Sequence, residues 1–350
     1  MRYMGFCILL PILGGLSACG DDSSGGVPGG NSPQAVTSGE KSTIGASAAN
    51  LAIVNVPTTT RLSRMLYDFD NNGIFEGTRE YAYDADGRLS SERYVYVDDG
   101  ITDTVFGTFS IGAESSDSNI LYSYNLNGLL ELVTIDTVGG GRSETVYTYN
   151  DDDLITRADI RSYDGVGAVS QRMFFTLTYV GQRLDYYSWY KAPFAPDYIY
   201  ELTYGADGLI LSDRGRTRAL LHVNQLAYTW RPDGHIDSIQ ETTPPVNHYS
   251  ALIDYIYDAT GKLAILKVMA NDPNDNYQWD MLYDSEGTAA GMNVDLNSDG
   301  AIEAVVRSEL EVGLCEPVYA WMRRAEPSFK ADATALYLPG AGYYKLGGCL

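Results

Sequence analysis

Polar and apolar residues alternate along this chain in short runs, and the same punctuation breaks each run. In "YAYDADGRLSSERY" (81–94), Tyr81 and Tyr83 stand two apart, which places them on one face of a strand whose side chains alternate sides. Asp84 follows, then Gly87, then the apolar Leu89. An acidic or amide residue at the first corner and a residue at ease with positive φ at the last suit a type I turn closed by a glycine bulge. The segment therefore predicts a β-hairpin, with Leu89 opening the return strand.

The spelling then recurs. Tyr122-x-Tyr124-Asn125 is followed by Gly128 and Leu130, and Tyr147-x-Tyr149-Asn150 by Asp153 in the glycine place and Ile155 in the leucine place. Leu202-x-Tyr204, Tyr228-x-Trp230 and Tyr255-x-Tyr257 head further copies, and weaker ones lie at Tyr179 and Tyr283. From Tyr124 onward the copies succeed each other at 25 to 30 residues, the mark of a repeat architecture. Only the step from Tyr83 to Tyr124 is longer, and it predicts an insertion.

Two strands per unit predict an antiparallel sheet of about sixteen strands, too long to stay flat and exposed. The expected fold is all-β: tandem antiparallel hairpin repeats over 61–311 forming a curved or spiral sheet. A short disulfide-linked cap is expected over 312–350. Within it "CEPVYAWMRRAEP" predicts a helix, with Pro317 in the first turn, Val318, Trp321, Met322 and Ala325 on one stripe, and Pro327 at the end.

"YAYDADGRL" and "YIYDATGKL" resemble the YD repeat of Rhs-type proteins, and the resemblance spans roughly 66–291. It implies hairpins wound into a shell, of which a curved or partly closed sheet is carried over here. The chain begins "MRYMGFCILLPILGGLSACG", with Arg2 and an apolar run too short to cross a bilayer as a helix, which predicts an export signal over 1–18. Leu16-Ser17-Ala18-Cys19 resembles the lipobox of bacterial lipoproteins. The resemblance implies acylation of Cys19 by palmitate-type chains and a membrane anchor; Gly20, rather than an aspartate, implies the outer membrane. Residues 19–60, rich in Gly, Ser, Thr and Pro, read as a tether with a reach of roughly 35 Å.

Composition adds boundaries. Hydrophobic residues make up 45% of 350, enough for a substantial core, and the net charge of −22 excludes nucleic acid as a partner. Dispersed acidic turns that keep a β protein soluble account for that charge, and cationic, divalent or neutral ligands remain compatible with it. With Cys7 in the signal and Cys19 acylated, Cys315 and Cys349 remain. In an oxidising compartment they predict a disulfide that stabilises the end of the fold by roughly 2 to 4 kcal/mol.

Two stretches at the ends of the array carry candidate chemistry: "DFDNNGIFE" (68–76) and "DLNSDGAIE" (295–303). Both place oxygen ligands at alternate positions ahead of a glycine that permits a sharp turn, the pattern of a calcium loop. The candidate ligands are Asp68, Asp70, Asn72 and Glu76, and Asp295, Asn297, Asp299 and Glu303. A full EF-hand is excluded, because Arg79 and Val306 occupy its twelfth position. The other reading of both is a solvated hairpin turn. "LDYYSWYK" (184–191) is the densest aromatic patch. Alternation puts Tyr186 and Tyr190 on one face and Tyr187 and Trp189 on the other; an exposed set could stack on sugar rings, whereas a buried set is core.

His222, His235 and His248 fall on separate elements without metal spacing, and "GVGAVS" at Gly165 lacks the glycine pattern and helix of a dinucleotide site. No G-x-S-x-G, P-loop or C-x-x-C is present, and no catalytic residue is assigned. The sequence therefore predicts a lipid-anchored envelope protein with a non-enzymatic binding or structural role, toward a glycan or another envelope protein. The alternative is a polysaccharide-active surface enzyme with carboxylates on the concave face of the sheet.

Overall fold

The computed structural model describes residues 58–315 except 97–117, 138–140, 182, 192–197, 218–221, 234, 244–249, 274–275 and 286, and beyond them 318–321, 337–338 and 343–346. Strands β1 to β6 are Thr58–Asp68, Gly77–Tyr83, Leu89–Tyr96, Ser118–Tyr124, Leu130–Thr137 and Arg142–Tyr149. Strands β7 to β12 are Ile155–Tyr163, Val169–Val180, Arg183–Lys191, Tyr198–Tyr204, Ile210–Thr217 and His222–Trp230. Strands β13 to β18 are Ile236–Thr242, Ser250–Tyr257, Leu263–Ala270, Tyr277–Tyr283, Ala289–Asp295 and Ala304–Cys315.

Each strand pairs antiparallel with its chain neighbours, and β1 also pairs with β18, from Thr58↔Cys315 to Asp68↔Val305. The sheet is a closed up-and-down barrel of 18 strands, not the curved or spiral sheet that the sequence suggests. Closure removes both edges, which an open sheet of this length would expose to stray pairing.

The predicted turns form as expected. Gly87, Gly128, Gly208 and Gly261 have φ near +80° to +86°, and Asp153, in the glycine place, takes φ +60°. At Gly87 space matters as well as φ: a Cβ would lie 2.5 Å from the Leu314 carbonyl, because the end of β18 packs onto this turn. The Asp84 carboxylate accepts the Asp86 and Arg88 amides at 3.0 and 2.9 Å, and Asn125, Asn150 and Asp258 repeat the arrangement. The weak copy at Tyr179 is one residue short because Val180 pairs directly with Arg183 around a two-residue corner. The sequence missed one corner of this kind: Asp164 to Gly167, inside the rejected dinucleotide segment, is the β7–β8 turn at the opposite rim.

An aromatic latch joins each hairpin to the one before it. The β3–β4 ladder stops at Ser91↔Leu121, two residues short of Leu89, and the Leu89 carbonyl instead accepts the Tyr124 hydroxyl at 2.5 Å. The same exchange links Tyr83 to Leu62, Tyr149 to Leu130, Tyr179 to Ile155 and Tyr204 to Leu184, at 2.5 to 2.8 Å. Trp230 Nε1 donates to Ile210, Tyr257 to Ile236 and Tyr283 to Leu263, at 2.6 to 2.9 Å. Five of these rings carry a cation on the face: Arg61 on Tyr83, Arg88 on Tyr124, Arg183 on Tyr204, Arg231 on Tyr257 and Lys262 on Tyr283, 4.4 to 5.2 Å from the centroids. The second aromatic of the repeat thus satisfies a carbonyl that the strand ladder leaves over.

Inward positions are apolar and dry: Tyr67, Leu89, Ile155, Phe175, Tyr200 and Met292 are almost wholly buried. A round wall of 18 strands is wide enough to leave a water-filled channel. Here the wall closes on packed aromatic and aliphatic side chains instead. The charge inside is compensated, since buried Glu92 takes the Arg79 guanidinium and the Tyr122 hydroxyl.

Outward positions carry ion pairs between neighbouring strands, beside scattered apolar side chains such as Leu121, Leu211 and Ile256. Arg64 of β1 lies 3.9 Å from Glu80 of β2, which lies 4.0 Å from Arg93 of β3, and the pairs Arg172–Asp159 and Arg216–Glu201 join other neighbouring strands. A barrel that crosses lipid needs an outward apolar band about 25 Å tall, and a charge at its middle costs roughly 2 to 4 kcal/mol. The inward side of the wall is the more apolar one.

The predicted C-terminal helix does not form over Val318–Trp321. That segment is β19, paired antiparallel with β21 (Tyr343–Leu346), which also pairs with β20 (Tyr337–Leu338). Val318 and Trp321 share a face in a helix but not in a strand, and pairing with β21 sets the strand. Cys315 ends β18 fully buried, while Cys349, its expected partner, lies outside the described residues, as do Cys19 and the tether up to residue 57.

Replacing Tyr149 by Phe deletes one latch and leaves the Leu130 carbonyl without its donor. We expect the urea midpoint to fall by the equivalent of roughly 1 to 3 kcal/mol. Tyr186→Phe on the outer face should stay within about 0.5 kcal/mol of the wild type. Equal shifts in both variants would count against the latch.

Candidate metal centre

Two connections at the rim opposite the repeat turns hold the predicted calcium ligands. One, Phe69–Glu76, joins β1 to β2; the other, Leu296–Glu303, joins β17 to β18. Because β1 and β18 are neighbours, the first and last loops of the barrel stand side by side. The Asn71 side-chain amide donates to the Ile302 carbonyl at 2.8 Å and ties them together.

The loops are built alike. Asp68, at the end of β1 and 3% exposed, accepts the Asn72 amide at 3.0 Å and the Gly73 amide at 2.9 Å. Asp295, also 3% exposed, accepts the Asp299 amide at 3.1 Å and the Gly300 amide at 2.8 Å. Glu76 Oε2 accepts the Phe69 amide at 2.8 Å, and Glu303 Oε2 the Leu296 amide at 2.7 Å. Backbone bonds from Glu76 to Tyr67 and from Glu303 to Val294 close the two turns at 2.9 Å. Positive φ at Asn71 and Gly73 is matched by Ser298 and Gly300, which curls each backbone round its carboxylates.

Carboxylate oxygens of Asp68, Asp70 and Glu76 lie within 4.8 Å of one another, as do those of Asp295, Asp299 and Glu303. Oxygen ligands of calcium sit at 2.3–2.6 Å, so opposite ligands are about 4.6 to 5.2 Å apart, and each trio fits round one such ion. Asn72 and Asn297 lie in the loops as predicted, but their amide oxygens accept the Ile74 and Asp299 amides at 2.7 and 2.9 Å. Among the described residues, no Lys or Arg forms an ion pair with the six carboxylates, although ion pairs are frequent elsewhere. Burial, reinforced by the charges of Asp68 and Asp70, raises the Glu76 carboxyl above its ordinary range. Glu76 is 4% exposed, and its Oε1 has no hydrogen-bond partner.

The aromatic patch on β9 divides as alternation predicts. Tyr187 and Trp189 point inward and are buried, stacked on Tyr200 and Tyr198 at 4.7 and 5.0 Å. They are core and take no part in a ligand platform. Tyr186 and Tyr190 face outward; Tyr190 stacks on Phe174 of β8 at 4.4 Å, and Arg157 of β7 lies 4.0 Å over the Phe174 ring. The outer aromatic residues are thus exposed Tyr186 and the half-buried pair Tyr190 and Phe174, of which sequence reading missed Phe174. Only the pairing of β8 with β9 could reveal it.

No family model matches the chain, and no curated protein matches it. Among solved structures it is similar to a porin-like protein from Bacteroides uniformis ATCC 8492 at 10% identity, covering 71% of this chain and 96% of that one, with a TM-score of 0.36. A porin-like protein from Bacteroides vulgatus ATCC 8482 is similar at 11% identity, over 71% and 98%, with a TM-score of 0.33. The TcdB2-TccC3 structure is similar at 11% identity over 67% of this chain and 15% of that one, with a TM-score of 0.26. Likenesses this remote carry no argument about function.

Trp189→Ala should destabilise the barrel by roughly 3 to 5 kcal/mol, as removal of a buried aromatic does. Tyr190→Ala, on the outer face, should cost far less. Thermal melting of both variants checks the division, and a more damaging Tyr190 substitution would contradict it.

Proposed function

We propose that this chain is a lipid-anchored envelope protein, held at the outer membrane through Cys19, that presents its closed barrel in water as a non-enzymatic binding or structural module. The observation that carries the reading is the wall itself: ion pairs outside and packed aromatics inside suit a body that stands off a membrane rather than in it. The lipobox-like segment and the Gly/Ser-rich tether supply an anchor and a spacer. Of the interior acids, Glu92 is paired with Arg79 and Asp213 accepts the Tyr187 hydroxyl.

Glycan is the ligand class that the outer aromatic platform favours, because Tyr186, Tyr190 and Phe174 offer ring faces beside the Arg157 guanidinium. Binding of another envelope protein is the competing role. Glycan-array binding without product formation, lost in a Tyr186→Ala/Tyr190→Ala double variant, supports the module; product formation supports the enzyme alternative.

The anchor has its own test. Cells fed an alkyne analogue of palmitate should label the wild-type chain and leave it in the membrane fraction after an alkaline carbonate wash. Cys19→Ala should be unlabelled and soluble with its melting transition intact. A Cys19→Ala chain that resists the wash would mean that the barrel itself is embedded, and would overturn the proposal.

A further inference from the structure

The seam between β1 and β18 is where the barrel is hardest to close. Its partners are separated by about 250 residues of chain, as in the Arg61–Glu311 ion pair at 2.6 Å. The entropy of closing a loop rises with its length, so this ladder forms against the largest cost in the barrel. It is also irregular, with register shifts between Thr58 and Thr60 and between Leu62 and Arg64. Arg64–Glu309 at 3.4 Å and Ser63 to the Glu309 carbonyl at 3.0 Å brace its outer face, yet both are exposed contacts of small worth.

At the rim above this seam stand the two acidic loops. Glu76 carries the inference beyond a cluster of acids: a carboxylate 4% exposed, with one oxygen unpartnered, is gathered against two further carboxylates. Burying such a group without a partner is costly, and a cation supplies what is missing. The donors are oxygens alone, which selects a hard ion over zinc or copper. Calcium accepts six to eight oxygens in irregular geometry, whereas magnesium demands a near-ideal octahedron, so a loop of carboxylates and backbone suits calcium.

We propose that the paired loops form a clasp in which two calcium-type cations, one in each loop, lock the β1–β18 seam. Asp68, Asp70 and Glu76 hold one ion, and Asp295, Asp299 and Glu303 hold the other. Each ion fixes the end of one seam strand, since Asp68 ends β1 and Glu303 immediately precedes β18. The Asn71–Ile302 hydrogen bond makes the sites cooperative: ordering one loop positions the other's backbone. The clasp does not depend on the lipid anchor or on any ligand of the barrel.

The test uses the full chain purified in detergent and stripped with EGTA, with calcium chloride as the probe. Equilibrium dialysis should find two ions bound cooperatively. If opening the seam requires release of both ions, amide exchange in β1 and β18 should slow by up to about 10,000-fold at calcium one hundred times Kd, and about 100-fold if only one must leave, while β10 and β11 barely respond. Glu76→Gln should weaken the first site by at least about tenfold. Asp70→Asn, at an exposed position, serves the same purpose should Glu76→Gln fail to fold. Asn71→Ala should keep both ions and lose the cooperativity. Absence of binding at millimolar calcium, full affinity in both ligand variants, or slowing spread evenly over all strands would each overturn the clasp.

Discussion

The hydrogen bond from an aromatic side chain to the first carbonyl of the preceding return strand governs this architecture. Ladders between successive hairpins stop two residues short of the turn rim, as at Ser91↔Leu121 beside Leu89 and Arg157↔Thr176 beside Ile155. Without a substitute, each unit would leave a carbonyl unpaired in a crowded interior. The Tyr hydroxyl, or the indole of Trp230, reaches across and supplies it, and its ring fills the space that the shortened ladder opens. One residue type therefore satisfies a polar group and builds the core together. This accounts for tyrosine at seven of the eight latch positions: a phenylalanine there would pack but could not donate.

The latch also explains the arrangement of charge. The cation before the leucine, as in Arg88-Leu89 and Lys262-Leu263, lies over the ring that bonds the leucine carbonyl. Bases near the turns thus cover the aromatic row at the rim, while bases farther along the strands pair with acids on the outer wall. The result is a barrel whose polarity is inside out relative to one that crosses lipid.

Local features were the most legible in the sequence. Asp84 with Gly87, and Asp153 in the place of glycine, specify corners that form as read, because a turn is decided within four residues. Alternation separated Tyr187 and Trp189 from Tyr186 and Tyr190 for the same reason. Of the helix expected from Pro317 to Pro327, Val318–Trp321 is instead a strand, because pairing with β21 outweighs a local helical stripe. The cations on the latch rings were visible in "DGRL" and "TGKL", but their role needs the next hairpin in place. Closure was illegible, because the Leu62↔Leu310 pairing spans almost the whole chain and no local pattern encodes it.

The acidic loops show how topology converts a legible motif into an unread site. A purely antiparallel barrel closes only on an even number of strands, since β1 and its last neighbour must run in opposite directions. Eighteen satisfies this, and it puts the β1–β2 and β17–β18 connections at one rim on either side of the seam. Two motifs more than 200 residues apart become neighbours joined by Asn71 and the Ile302 carbonyl, whereas in an open spiral they would lie at opposite ends. Six carboxylates brought together with no basic partner among the described residues repel one another when no ion is present. The same assembly, filled by cations, turns that repulsion into attraction at the place where the chain has the most entropy to overcome.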